Sequence, residues 1–213
     1  MNYTALIVAA GSGSRMGLGY NKLLYPLSEQ QTVIEKTASI FIRDQRCKQI
    51  IIVTSEADTE QMKQLFQGSD ITFVLGGKTR QESVYNGLQQ VKEAVVLIHD
   101  GARPWLSLSC IDDLLACLKK HRACLLCVPV KDTIKRVQNG VISQTYPRAE
   151  LMQAQTPQAF HLDVIKAAYE KAMLQNIGAT DDAQIVELCT EVKVHVVEGS
   201  YENRKITTKE DLY

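Results

Sequence analysis

The feature that most constrains the fold is an alternation. Short apolar runs of strand length trade places with amphipathic segments of helix length along almost the whole 213-residue chain. Ala5 to Ala9, Gln49 to Thr54, Ile71 to Leu75, Val95 to His99 and Cys124 to Val128 are aliphatic or β-branched without polar alternation, as expected of strands covered on both faces. Thr32 followed by Glu35 spells a capping box, with Ile34, Ala38 and Phe41 as the inner stripe of its helix; Ile111, Leu114, Leu115 and Leu118 repeat that spacing. Val164 to Asn176 and Asp181 to Cys189 read as two more helices, before a final strand near Val194 to Val197. The alternation predicts an α/β fold, a mostly parallel twisted sheet with helices on its faces, in a single domain over residues 1–213.

One segment breaks the pattern. Lys131 to Tyr146 reads as two short strands around Asn139-Gly140, the strongest short hairpin signal. It predicts a protruding β-arm at about residues 131–150. An isolated two-stranded hairpin is marginally stable in water, so a second copy of the chain is the expected surface for it, making a homodimer.

Composition narrows the partners. The 24 Lys and Arg balance 24 Asp and Glu, which argues against binding nucleic acid or an anionic membrane by bulk charge. Apolar runs such as Ala94 to Ile98 and Ala123 to Val128 fall far short of the roughly 20 residues of a membrane-spanning helix. The N-terminus lacks the basic region of a secretory signal, and a cytoplasmic location is expected. The six cysteines sit mostly in apolar runs, where a thiol acts as a small hydrophobe. Cys124 and Cys127 stand three apart on a strand and so face opposite ways, and no second Cys/His pair has metal-ligand spacing; no residue is assigned to a metal.

Chemistry concentrates where strands end. The first strand runs into Ala9 to Gly17, with Gly11, Gly13 and Gly17, Arg15 within it and Lys22 beyond. A glycine turn after a buried strand brings backbone N–H groups close to phosphates, and an Arg and a Lys suit a nucleoside triphosphate. Neither familiar phosphate-loop template fits, because Met16 replaces the third glycine of G-x-G-x-x-G and Lys22 follows Asn21. The loop from His99 to Pro104 brings Asp100 and Arg103 to the carboxyl end of another strand, the edge at which open parallel sheets bind ligands. Asp132-Thr133, Gln155 to Phe160 and Glu202 to Thr208 add polar clusters near Lys and Arg that suit an anion. His121, His161 and His195 lack partners at catalytic or metal spacing and read as surface or capping residues.

These motifs occur in a definite order: Ala9 to Gly17 with Lys22, Gly76 to Val84, His99 to Pro104, Val128 to Arg136, Thr156 to Phe160, Ala179 to Ala183 and Gly199 to Thr207. In that order the chain resembles the 2-C-methyl-D-erythritol 4-phosphate cytidylyltransferase family of the non-mevalonate isoprenoid pathway, over nearly its whole length. The resemblance implies a Rossmann-like nucleotidyltransferase domain. It implies transfer of a cytidylyl group from CTP to methylerythritol phosphate, with release of pyrophosphate and a need for Mg²⁺ held mainly by the CTP phosphates. Arg15, Lys22 and Lys205 match the catalytic cations on the phosphates. Ala9, Ala10, Gly11, Gly13, Gly77 and Ser83 match the nucleotide site, and Asp100 matches the residue near the ribose and the acceptor hydroxyls. Arg103, Thr133, Arg148 and Thr156 match the methylerythritol phosphate site, with Thr133 and Arg148 reaching the partner subunit's site through an exchanged arm. Ribitol-5-phosphate cytidylyltransferase shares the overall plan and is the alternative enzyme; a nucleotide-binding protein without catalysis is the alternative outside enzymes.

Overall fold

The computed structural model describes residues 1–11, 19–29 and 31–212. In chain order the first half holds β1 (Tyr3–Val8), a 3-10 turn at Lys22–Leu24, a small ribbon of β2 (Pro26–Ser28) and β3 (Gln31–Thr32), α1 (Val33–Arg43), β4 (Cys47–Thr54), α2 (Thr59–Leu65), β5 (Ile71–Leu75) and α3 (Arg80–Leu88). The second half holds β6 (Val95–Asp100), α4 (Leu108–Leu118), β7 (Ala123–Pro129), β8 (Lys135–Gln138), β9 (Val141–Thr145), β10 (Met152–His161), α5 (Leu162–Gln175), α6 (Asp182–Cys189) and β11 (His195–Glu198).

Seven strands form one sheet in the order β11-β7-β10-β6-β1-β4-β5. All run parallel except β10, which lies antiparallel between β6 and β7. The chain steps outward from β1 through β4 to β5, then returns to place β6 on the other flank of β1. This reversal is a topological switch point, and it opens a crevice beyond the carboxyl ends of β1 and β6.

Each face of the sheet has its own core. Ile7, Ile52 and Leu97 pack with Ile34, Ala38 and Phe41 of α1 and with Ile111, Leu114 and Leu118 of α4. Leu6, Ile51, Val53, Val96 and Ile98 pack with Val84 and Leu88 of α3, Ile165 and Tyr169 of α5, and Ile185 and Val186 of α6. The expected helix stripes are buried, and Thr32 and Glu35 make the reciprocal capping box. Cys124 and Cys127 fall in different clusters, as residues on opposite strand faces must, and all six cysteines are free thiols.

β10 departs from the sequence reading, which treats Gln155 to Phe160 as a polar stretch rather than a strand. Pro157 inside it argues against a central strand. The β10–β7 ladder steps from Ala154 straight to Gln158, leaving Gln155, Thr156 and Pro157 in a bulge where no N–H is required of the proline. The bulge sits beside the carboxyl end of β6 and turns Thr156 toward it, where the Asp100 N–H donates to Thr156 Oγ1 at 2.9 Å.

The arm forms as expected: β8 and β9 pair antiparallel, with Asn139 at φ 51° and Gly140 at φ 80°, the left-handed pair of a tight hairpin turn. Every residue of β8 and β9 is exposed. Among the described residues, no helix is long and apolar enough to cross a membrane.

Candidate active site

The switch-point crevice is a cavity of about 490 Å³, within the range of ligand sites. It is lined by Val8 at the end of β1 with Ala10 and Gly11 beyond it, by Gly77, Lys78 and Thr79 of the β5–α3 loop, by Arg80 and Ser83 in the first turn of α3, and by Asp100 at the end of β6 with Gly101 and Ala102 beyond it. Lys22, Leu23 and Lys205 complete the wall among the described residues. A smaller cavity of about 250 Å³ shares Arg80, Asp100 and Lys205 with it and adds Arg103, Gln155, Thr156 and Asp181.

The β5–α3 loop is glycine-dependent at its base. A Cβ on Gly76 would stand 2.6 Å from the Ala10 Cβ, and one on Gly77 would stand 2.3 Å from the Glu82 Cβ, so glycines let this loop close against the residues after β1 and against the first turn of α3. The Gly77 N–H donates to Ser83 Oγ at 3.1 Å, while the Ser83 hydroxyl donates to the Thr79 carbonyl at 2.8 Å. Thr79 in turn caps α3 by accepting from the Glu82 N–H.

Asp100 is the electrostatic centre. Its Oδ2 accepts from Lys205 Nζ at 2.8 Å, and its Oδ1 lies 3.4 Å from Arg80 Nε and Nη2. Arg103 Nε stands 3.8 Å from Oδ2. Burial alone would raise this carboxyl, but Arg80, Lys205 and Arg103 outweigh it and hold the group far below the usual carboxylate range. Arg80 also forms a bidentate pair with the wholly buried Asp182, at 3.0 and 2.8 Å, and Tyr169 donates to the same carboxylate at 2.5 Å. Three cations, Arg80, Arg103 and Lys205, thus face two carboxylates; the larger cavity holds Arg80 and Lys205 together with Lys78 and with Lys22, which donates to the Ile206 carbonyl at 2.6 Å. The surplus of positive charge suits a polyanion.

The strap carrying Lys205 is pinned from several directions. Arg103 Nη1 donates to the Asn203 carbonyl at 2.7 Å, and the wholly buried Asn203 side chain donates to the Thr156 carbonyl at 2.8 Å. The Ile206 N–H donates to the Ala102 carbonyl at 2.9 Å. Arg103 Nε is buried without a hydrogen-bond partner among the described residues, a donor held in the wall of the smaller cavity.

The sequence candidates are distributed unevenly over this geometry. Ala10, Gly11, Lys22, Gly77, Ser83, Asp100 and Lys205 line the larger cavity, and Arg103 and Thr156 line the smaller one. Ala9 lies beneath, its N–H donating to the Val53 carbonyl and its own carbonyl accepting from Asn21 Nδ2. Gly13 and Arg15 lie outside the described residues. Thr133 and Arg148 are exposed on the arm side and line neither cavity; Arg148 donates to the Lys131 carbonyl at 2.7 Å. Sequence reasoning assigned no role to Arg80 or Asp182. Both sit inside motifs already singled out, Gly76 to Val84 and Ala179 to Ala183, but 102 residues separate them and nothing local announces their pairing.

Comparison with known proteins decides the family. The family described as 2-C-methyl-D-erythritol 4-phosphate cytidylyltransferase, IspD, matches residues 3–213. The chain belongs to that family. The 2-C-methyl-D-erythritol 4-phosphate cytidylyltransferase of Bacillus velezensis is 42% identical over 217 residues, covering 100% of this chain and 93% of the relative, and that of Halalkalibacterium halodurans is 43% identical, covering 100% and 94%. Among solved structures, the 4-diphosphocytidyl-2C-methyl-D-erythritol synthase of Anaerococcus prevotii superposes with a TM-score of 0.87 at 32% identity, covering 99% of this chain and 92% of that one. The Francisella tularensis cytidylyltransferase follows at a TM-score of 0.85 and 31% identity, covering 100% and 97%. The mostly parallel sheet is therefore the nucleotidyltransferase sheet of this family.

Proposed function

We propose that the chain is the enzyme its family describes, transferring a cytidylyl group from CTP to 2-C-methyl-D-erythritol 4-phosphate and releasing pyrophosphate. The observation that carries this reading is the convergence of Lys22, Lys205, Arg80 and Asp100 with the Gly77–Ser83 loop on one switch-point cavity. The acceptor's phosphate oxygen attacks the α-phosphorus of CTP, and the bond from that phosphorus to the bridging oxygen of the β-phosphate breaks. A phosphomonoester's second pKa is about 6, so the nucleophile is ionised at neutral pH and needs no general base. What the reaction requires is alignment of two polyanions and stabilisation of charge on the α-phosphate and the leaving pyrophosphate. Lys22 and Lys205 supply fixed positive charge in the larger cavity, and the buried Arg103 in the smaller one suits the acceptor's phosphate. Arg80 is held by Asp182 and Asp100 and serves to orient the Asp100 carboxylate.

Mg²⁺ enters with CTP, on its phosphates, as part of the substrate. Among the described residues Asp100 is the one carboxylate lining the larger cavity, with its oxygens already engaged by Arg80 and Lys205, and no cluster of three or more potential ligands exists. Bound to the phosphates, the ion neutralises part of their charge. The exposed arm suits a homodimer in which Thr133 and Arg148 serve the partner's site.

The test is pyrophosphate release with CTP and Mg²⁺, run with methylerythritol 4-phosphate and with ribitol 5-phosphate. Preference for the methylerythritol acceptor is the expected result. Turnover with ribitol 5-phosphate alone would reassign the acceptor, and binding of CTP without turnover would point to a nucleotide-binding protein instead.

A further inference from the structure

The directions of the hydrogen bonds around His99 define a role for that residue. His99 sits near the end of β6, wholly buried, with its ring edge-on to Phe41 at 5.5 Å between centroids. Its Nε2 lies 3.1 Å from the Arg103 carbonyl oxygen, and its Nδ1 lies 3.0 Å from Thr156 Oγ1. A carbonyl oxygen only accepts, so the ring proton is on Nε2. Burial pushes the imidazole down to about 4, against the opposing pull of its bonds to Arg103 and Thr156 and of the Asp100 charge, so the ring is neutral near pH 7 and carries that proton alone. Nδ1 is bare, and the Thr156 hydroxyl donates to it. The same oxygen accepts from the Asp100 N–H at 2.9 Å. A hydroxyl has one proton and two lone pairs. With the proton and one lone pair engaged, Thr156 has a single lone pair left for whatever fills the smaller cavity it lines.

We propose that His99 is a positioning residue that makes Thr156 an acceptor-only group, so that Thr156 reads a hydroxyl of the polyol substrate and leaves its phosphate to the cations. The proposal rests on the transfer reading above and names how that site tells one end of its acceptor from the other. An ionised phosphate offers only acceptor oxygens and meets a lone pair at Thr156 with repulsion; a polyol hydroxyl supplies the missing proton. In the wall of the smaller cavity Arg80, Arg103 and Lys205 only donate, whereas Asp100, Asp181 and, through His99, Thr156 accept. A phosphate is then drawn to the cations, and Thr156 is left to a hydroxyl.

Two measurements test it. In ¹⁵N-histidine-labelled wild-type protein at pH 7, long-range ¹H–¹⁵N correlations should show His99 with a protonated Nε2 and a bare Nδ1. A proton on Nδ1 overturns the proposal, and this arm needs no variant and no turnover. In steady-state kinetics, Thr156→Val should raise the KM for methylerythritol phosphate about tenfold, the size of one lost neutral hydrogen bond, with the KM for CTP unchanged. Thr156→Ser should restore it. His99→Leu should raise the same KM, and adding Thr156→Val to it should bring no further loss. One deoxy analogue of the acceptor should bind worse to the wild type yet no worse than the parent compound to Thr156→Val. Additive losses in the double variant, or equal sensitivity to every deoxy analogue in both enzymes, overturn the proposal. Absence of wild-type turnover with any acceptor would instead sink the transfer reading, leaving the tautomer to be decided by the spectrum alone.

Discussion

The Asp100 cluster and the β8–β9 arm are opposites in how they are held. Around Asp100, side chains from four separate stretches of chain, at positions 80, 100, 182 and 205, interlock in a mostly buried network. The arm's bonds are local, such as Lys135 Nζ to Thr145 Oγ1 at 2.8 Å and Ser143 Oγ to the Arg136 carbonyl at 3.2 Å. It also leaves Val137, Val141 and Ile142 more than half exposed, at 57%, 69% and 59%. The difference teaches where a single chain is complete. The cavity around Asp100 is braced by the chain's own long-range contacts, whereas the arm presents apolar surface that no described residue covers.

The largest test breaks the braced region. Arg80→Leu leaves the buried Asp182 without its cation and should destabilise the fold by about 3–5 kcal/mol, read by urea unfolding. The Arg80→Leu, Asp182→Leu double variant should recover much of that loss, and no recovery would mean that the pair is not the cause. Next, Lys205→Ala should raise the barrier by about 3 kcal/mol, roughly a hundredfold in kcat, with little change in melting temperature. Near-normal turnover would remove this lysine from the chemistry.

A smaller effect follows pH. The neutral His99 contributes stability that is complete above the ordinary histidine value near 6.5 and is lost as pH falls through its folded value of about 4. Stability should therefore drop by about 2 kcal/mol between pH 7 and pH 5, a window in which exposed carboxylates stay ionised. Denaturant titrations at several pH values should show a shallower slope in His99→Asn, and parallel slopes would clear His99 of that role. The smallest effect on folding belongs to the arm. Val141→Lys should leave the melting temperature of a single chain unchanged while weakening self-association in sedimentation. Mixing inactive Lys22→Ala with inactive Arg148→Ala subunits should recover part of the activity, because one site of each mixed dimer would be intact. No recovery would confine Arg148 to its own chain.

Periodicity and turn chemistry act over a few residues, and for that reason they were legible in the sequence. The apolar runs of the parallel strands, the Thr32–Glu35 cap, the stripes of α1 and α4 and the Asn139-Gly140 hairpin turn are each determined by neighbours three or four positions away. The ordered motifs located Lys22, Gly77, Ser83, Asp100, Arg103, Thr156 and Lys205, which line the two cavities. The tertiary structure alone decided that β10 enters the middle of the sheet despite Pro157, because a bulge beside β6 removes the demand for the missing N–H. It alone decided that Arg80 meets Asp182 across 102 residues, and that the Thr156 hydroxyl meets the buried His99 ring across 57. The physical reason is the same in each case. Local propensity fixes what a segment becomes, but a buried charge or a buried proton finds its partner only after the chain has closed around it.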